Sequence, residues 1–393
     1  MIPDSRSADE ALGTGRSRGA RRWSHVQLLV PLLGCVACFG SNATVPLPPG
    51  ATLAEPTALA ATDPVATDGD SADDPAIWVH PQFPSQSLVF GTNKRGGLEW
   101  YGLDGARLGL VSDGLEPDNV DVAYSVQLGS ARVDVLGAAV RGREKGFMLW
   151  TVDPEARSAS PALAAAFPVF GGGTPYGSTL YRRARDGALY AFVNDKQGRV
   201  EQYRIDGSSG AFVPTLVRAF DVGDQVEGCV ADEEHGWFFI SEETRAIWRY
   251  DAEPDAPATV KDRVAILEVG QPGVVPDLEG LAIYYGKGGK GYLIASIQGA
   301  NRFFVFDREA PHALRKVIDP RASTEHGDLE DTDGIAVESF GLGSPFERGL
   351  LVAQDGKNEK ANQDFKLYAW PDIAGIDLLI EARRDPRKPH WMR

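Results

Sequence analysis

The chain has 393 residues, 43% of them hydrophobic and 24% charged, and no low-complexity tract dominates it. This composition suits a globular protein with a large core and excludes a disordered or fibrous one. Its 55 acids outnumber its 40 lysines and arginines, a net charge of −15, and such a surface excludes nucleic acid as a partner because phosphate backbones need positive charge.

The chain opens with Arg16, Arg18, Arg21 and Arg22 ahead of an apolar run from Val26 to Phe39 that is broken by Pro31. The run is shorter than the roughly 20 residues needed to span a bilayer. A basic stretch followed by a short apolar one reads as an export signal, so residues 1–38 are expected to be a leader. The product is then secreted, periplasmic or lipid-anchored outside the cytoplasm. Leu32-Leu33-Gly34-Cys35 and Val36-Ala37-Cys38 both look like bacterial lipoprotein processing sites, and lipidation at one of these cysteines is the expected route to a membrane. Removing residues 1–38 takes five arginines and three acids, leaving 35 basic against 52 acidic residues and a net charge near −17. Only Cys229 lies beyond the leader, so no internal disulfide is available, and its setting Gly228-Cys229-Val230-Ala231 reads as a small core residue.

Residues 39–68, rich in Ala, Pro and Thr, are predicted to be a flexible tether. From residue 69 to the end, short β-type runs alternate with Gly and Asp, the spacing of an all-β fold. A six-fold repeat runs through them. Each copy has an apolar run, a polar tip, and a second run closing on an aromatic residue and an acid. The closing acids are Asp104, Asp153, Asp206, Asp251, Asp307 and Asp372, spaced 49, 53, 45, 56 and 65 residues apart. A period near 50 with several strands per unit predicts a six-bladed β-propeller of four-stranded antiparallel blades. A single propeller needs no second subunit, and a monomer is expected.

A polar or acidic residue opens a short apolar strand ahead of each hairpin: Asp74, Asp121, Tyr176, Glu227, Glu279 and Asp333. These openings precede the tips Asn93, Arg141, Lys196, Glu243, Gln298 and Asp355 by 19, 20, 20, 16, 19 and 22 residues, one pair per blade. Innermost strands converge on the propeller axis, so five carboxylates are expected at one mouth. Acids at strand openings also serve as turn and cap residues. Five in register are another matter, since like charges a few Å apart repel by several kcal/mol at intermediate effective dielectric. A hard cation with six to eight oxygen ligands relieves that, which points to calcium. The six histidines are scattered, which disfavours zinc.

The tips divide by charge. Lys94, Arg95, Arg141, Arg143, Lys145, Lys196 and Arg199 fall on three consecutive tips, and Glu242, Glu243 and Asp355 on later ones. A mouth cationic on one side and calcium-loaded on the other fits a ligand carrying several phosphates.

The segments Asp73-Asp74-Pro75-Ala76-Ile77-Trp78, Asn93-Lys94-Arg95-Gly96-Gly97-Leu98, Glu227-Gly228, Glu242-Glu243, Asp277-Leu278-Glu279-Gly280-Leu281, Asp331-Thr332-Asp333-Gly334-Ile335 and Val352-Ala353-Gln354-Asp355-Gly356 resemble those of the β-propeller phytases. The resemblance spans residues 65–372 and touches every part of the repeat. It implies a calcium-dependent phosphoric monoester hydrolase of the 3-phytase type, acting on inositol polyphosphates, with several structural and catalytic calcium ions. It implies catalytic and metal-binding roles for Asp74, Tyr176, Glu227, Glu243, Asp277, Glu279 and Asp333, and phosphate binding by Lys94, Arg95, Arg141 and Lys196. The implied chemistry is in-line attack on phosphorus by calcium-activated water, without a covalent intermediate. Two departures stand out: Gln197, where the family commonly has Glu, and a short Gly356–Asn362 loop. A lactonase-like calcium propeller is the rival enzyme, and it has no need of the basic tips. A non-catalytic surface propeller that binds polyanions is the other alternative.

Overall fold

The computed structural model describes residues 45–112, 114–358 and 361–388; the expected leader and its two cysteines lie outside them. The predicted fold is the one observed, with six antiparallel blades whose strands follow one another in sequence. Blade 1 comprises Ala72–Trp78, Leu88–Asn93, Gly97–Tyr101 and Arg107–Val111. Blade 2 comprises Pro117–Leu128, Ala131–Val140, Gly146–Asp153 and Ser158–Pro161, and blade 3 Ser178–Arg182, Leu189–Asn194, Arg199–Asp206 and Val213–Asp221. Blade 4 is Val226–Asp232, Trp237–Glu242, Ala246–Asp251 and Val264–Glu268, and blade 5 Leu278–Tyr285, Gly291–Ile297, Arg302–Asp307 and Leu314–Ile318. Blade 6 takes Ile335–Glu338, Leu350–Asp355 and Asp364–Ala369 from its own stretch of chain.

Its fourth strand comes from the other end of the protein. Ala60–Ala61 pairs antiparallel with Lys366 and Leu367, and Thr52–Ala54 adds a parallel fifth strand to blade 5 against Lys316–Ile318. The stretch predicted to be a tether is therefore structured from residue 45 onward. Composition misleads here because the outer edges of blades 5 and 6 offer unpaired backbone groups to any extended segment, whatever its side chains.

The middle strands are buried on both faces, as their runs of Val, Ile, Leu and Phe require. Leu88–Asn93, Leu189–Asn194, Gly291–Ile297 and Leu350–Asp355 are buried along their whole length. The core is a series of clusters between neighbouring blades, and the first blade packs on both the second and the sixth. Each innermost strand packs on the next, and the sixth on the first, which closes the ring.

The start of the innermost strand recurs in one form. In blades 1, 2, 4 and 5 the ladder skips two residues: Ala72 pairs with Asn93 and then Pro75 with Gly91; Pro117 with Val140 and then Val120 with Ala138; Val226 with Glu242 and then Cys229 with Ile240; Leu278 with Ile297 and then Leu281 with Ala295. The first skipped residue is Asp73, Asp118, Glu227 or Glu279, and the second is Asp74, Asn119, Gly228 or Gly280. Tyr176-Gly177 and Asp333-Gly334 stand at the matching place in blades 3 and 6. The glycines permit a close approach between blades: a Cβ on Gly228 would lie 2.2 Å from the Glu279 carbonyl oxygen, and one on Gly280 would lie 2.6 Å from that of Asp333. The Gly280 amide donates to the Asp333 carbonyl at 2.9 Å.

At the far ends of these strands the C-terminal segment crosses the propeller. Arg182 donates to the Pro386 carbonyl, Arg384 pairs with Glu234, and Arg387 pairs with Asp134. An axial cavity of about 140 Å³, lined among others by Asp74, Asn119, Asp121, Cys229, Glu338 and Pro386, lies along the innermost strands. Cys229 faces it, where Asn194 Nδ2 donates to its sulfur at 3.7 Å.

Candidate active site

The strand starts, bulged in blades 1, 2, 4 and 5, bring one residue from each blade to the same mouth: Asp73, Asp118, Tyr176, Glu227, Glu279 and Asp333. Four of the six predicted openings hold that position. The other two are displaced. Asp74 occupies the place that glycine takes in blades 3 to 6, where its carboxylate accepts the Val120 amide at 3.1 Å and lines the axial cavity. Asp121 lies three residues further along its strand and accepts from Thr179 Oγ1 at 2.6 Å and the Leu180 amide at 2.9 Å, tying blade 2 to blade 3. Asp73 and Asp118 stand in their stead.

Two carboxylate triads result. Ligand oxygens of Asp73, Asp118 and Glu227 lie within 4.8 Å of one another, as do those of Glu227, Glu243 and Glu279. All five side chains are buried, and Glu227 belongs to both groups. Burial pushes the carboxyls of Glu227, Glu279 and Asp118 well above the usual range, and neighbouring carboxylates push them further: Asp73 on Glu227 and Asp118, and Glu227 on Glu279. Glu243 is raised by burial and by Asp277. Asp333 is pushed up to about 7 by burial and by Asp73, with Lys94 opposing. A group of acids so arranged favours a proton or a cation.

The residues present fit a hard cation. The donors are all oxygens, and the buried Asp73 and Asp118 carboxylates are each met by a cation, Lys94 and Arg141, rather than by a neutral hydrogen-bond donor. Amides steady the rim: Gln225 Nε2 reaches both oxygens of Glu243 at 2.8 Å, and Gln298 Nε2 donates to Asp333 at 2.5 Å. Asp277 is half-buried beside Glu243, whose carbonyl accepts the amide of its neighbour Leu278 at 2.9 Å.

The cations divide into two kinds. Lys94 Nζ is sunk among Asp70, Asp73 and Asp333 at 2.8, 3.1 and 3.2 Å. Arg141 pairs with Asp118 at 2.8 Å. These two are counter-ions of the acid ring rather than free arms. Lys196 is exposed, with its ammonium 4.0 Å from the centre of the Tyr176 ring. Arg95 is exposed too, and donates to the Asp68 carbonyl at 3.2 Å. Of the other basic tips, Arg199 pairs with Asp195 and Lys145 donates to Thr174. Gln197 is exposed beside Lys196. Two expected mouth acids serve the blades instead. Glu242 is fully buried and accepts from Trp248 Nε1 at 2.6 Å and the Asp224 amide at 3.0 Å, while Asp355 pairs with buried Lys366 at 3.2 Å.

Asp73, Asp118, Asp70 and Gln225 were not singled out from sequence. Asp73 and Asp118 had a usable signal: each precedes the residue that aligns with the glycine of Glu227-Gly228, Glu279-Gly280 and Asp333-Gly334. Asp70 and Gln225 sit outside the repeat and carried none.

Comparison with known proteins identifies the family. The phytase family profile matches residues 44–390. The 3-phytase of Bacillus subtilis (strain 168) is 38% identical over 342 residues, covering 84% of this chain and 88% of the relative. Among solved structures, the α-L-arabinanase of Penicillium chrysogenum complexed with arabinobiose superposes with a TM-score of 0.51 at 13% identity, covering 80% of this chain and 99% of that one, a likeness of fold alone. The chain belongs to the phytase family and is a phosphatase-type enzyme.

Proposed function

We propose that the chain is a calcium-dependent phytase that releases inorganic phosphate from myo-inositol hexakisphosphate by displacement with water. The observation that carries the reading is the pair of buried carboxylate triads sharing Glu227 beside Lys94, Arg141 and Lys196. Asp73, Asp118 and Glu227 would hold one calcium ion, and Glu227, Glu243 and Glu279 another. Bound calcium supplies positive charge against phosphoryl oxygens and lowers the pKa of water.

The chain's own groups do the rest. Gln225 fixes the rotamer of Glu243, and Gln298 that of Asp333. Arg141 and Lys94 lie where a phosphate at the triads would meet them, and exposed Lys196 and Arg95 are placed for neighbouring phosphates of the same ring. Positioning several charges of one ligand together is what a polyphosphate site needs. The leader at 1–38 would place this activity outside the cytoplasm, with Cys35 or Cys38 as the lipidated residue.

The test is phosphate release from myo-inositol hexakisphosphate by a chain beginning at residue 39, with calcium and with a chelator. Release only with calcium supports the reading. Protein that melts cooperatively and binds calcium but releases no phosphate would sink it and favour a binding propeller.

A further inference from the structure

Tyr176 touches both halves of the mouth. Its hydroxyl lies beside the Glu227 carboxylate shared by the two triads, and burial together with that charge raises the phenol well above its usual range. Its ring lies under two cations from different blades, with Lys196 Nζ 4.0 Å and Arg141 Cζ 5.4 Å from the ring centroid. Arg141 has a carboxylate partner as well, in Asp118. Lys196 makes no ion pair within 4.0 Å among the described residues, although it projects from a tip in a strongly acidic protein. The ring is therefore what holds its ammonium at the mouth.

A free lysine side chain loses rotamer freedom when it is fixed. A ligand that captures an unrestrained Lys196 bears that cost on binding. A lysine already resting on an aromatic face bears less of it, because the cation–ring attraction has ordered the side chain beforehand. The geometry points to Tyr176 as a positioning residue whose ring pre-orders Lys196 and Arg141 for a ligand bearing several phosphates, separately from what its hydroxyl does at Glu227. The inference rests on the phosphate-ester reading of the site for its choice of ligand.

The two roles separate by substitution. Tyr176→Phe keeps the ring and loses the hydroxyl, whereas Tyr176→Leu and Tyr176→Gln lose both. Binding of myo-inositol hexasulfate, a polyanion the enzyme does not hydrolyse, is measured by calorimetry on the full chain in calcium. Tyr176→Phe is expected to bind within about twofold of wild type, and the two ring-less variants about tenfold more weakly, from two cation–ring contacts of about 0.5–1 kcal/mol each. In turnover, Tyr176→Phe should lower kcat with KM for hexakisphosphate little changed, while Leu and Gln should raise that KM and leave KM for an aryl monophosphate near the Phe value. Thermal melting controls for folding, and because Tyr176 is half-exposed, two unlike replacements guard against one that fails to fold.

Equal weakening by Phe, Leu and Gln assigns the effect to the hydroxyl and overturns the inference. So does unchanged hexasulfate binding in all three, or a wild type that binds no hexasulfate. A wild type that binds hexasulfate but releases no phosphate sinks the hydrolase reading instead, and the order Phe against Leu still judges the ring.

Discussion

Lys94 Nζ lies 3.1 Å from the Asp73 carboxylate, on the part of the acid ring where blades 1 and 6 meet. Asp73 is fully buried with no neutral donor to its carboxylate, so this ammonium, also shared with Asp70 and Asp333, is the charge that offsets it. A tip lysine that looks from sequence like an arm for phosphate is thus also an internal counter-ion of the acid ring.

Replacing Lys94 by Met should therefore act first on stability. Removing one partner of a buried ionic cluster typically costs about 3–5 kcal/mol, because the remaining charge is left uncompensated. Urea unfolding in a chelator is expected to show that loss, and calcium should restore the variant more than it raises wild type. Equal midpoints in the chelator would show that the pairing carries no weight.

Glu227 is common to both triads, so its loss should disable both at once. Glu227→Gln keeps the shape and removes the charge. Phosphate release is expected to fall by about 100-fold or more, the scale seen when a preorganised electrostatic group is removed. Calcium titration of the same variant should show weakened binding. Wild-type turnover would remove Glu227 from the site.

Asp232 and Arg308 form the other buried ion pair worth testing, far from the mouth. The Arg308 guanidinium is fully buried and donates twice to Asp232 at 2.6 Å. Burial alone would raise the Asp232 carboxyl, but Arg308 and His235 hold it well below the usual carboxylate range. A carboxyl depressed on folding contributes stability above its unfolded pKa of about 3.9, and loses it as pH falls towards the lower folded value. Asp232→Asn should be strongly destabilised at pH 7, by about 3–5 kcal/mol, because buried Arg308 loses its two charged bonds to Asp232 and keeps Glu234 as its acidic partner. The gap to wild type should narrow as pH drops from about 5 towards 2 in denaturant titrations. A gap independent of pH would show that the charge of Asp232 is not what Arg308 requires.

The contribution of the N-terminal strands is open to truncation. A chain starting at Asp63 lacks Thr52–Ala54 and Ala60–Ala61, and with them the backbone bond from the Leu59 amide to the Leu367 carbonyl at 2.9 Å. Its melting temperature should fall by about 5–10 °C relative to one starting at Val45, a loss of a few kcal/mol in a propeller of this size. Coincident melts would mean that the ring closes without them.

The sequence by itself determined the number of blades, the identity of the family and the segregation of acids and bases among the tips. Each of these is a one-dimensional property, whether a period near 50, an ordered set of short motifs or a charge pattern that survives unfolding. Glu227, Glu279, Asp333 and Tyr176 were legible for the same reason, since each immediately precedes a glycine in register. Only the tertiary structure decided between Asp73 and Asp74, and between Asp118 and Asp121. A strand alternates faces every residue and a bulge interrupts that alternation, so neighbouring acids differ in direction in a way that no composition records. It also decided that Ala60–Ala61 completes blade 6, because an open sheet edge selects its partner by backbone geometry and proximity. The sinking of Lys94 into the acid ring is of the same kind. The electrostatic field that draws it there exists only once Asp73 and Asp333, 260 residues apart in the chain, meet where blades 1 and 6 close the ring.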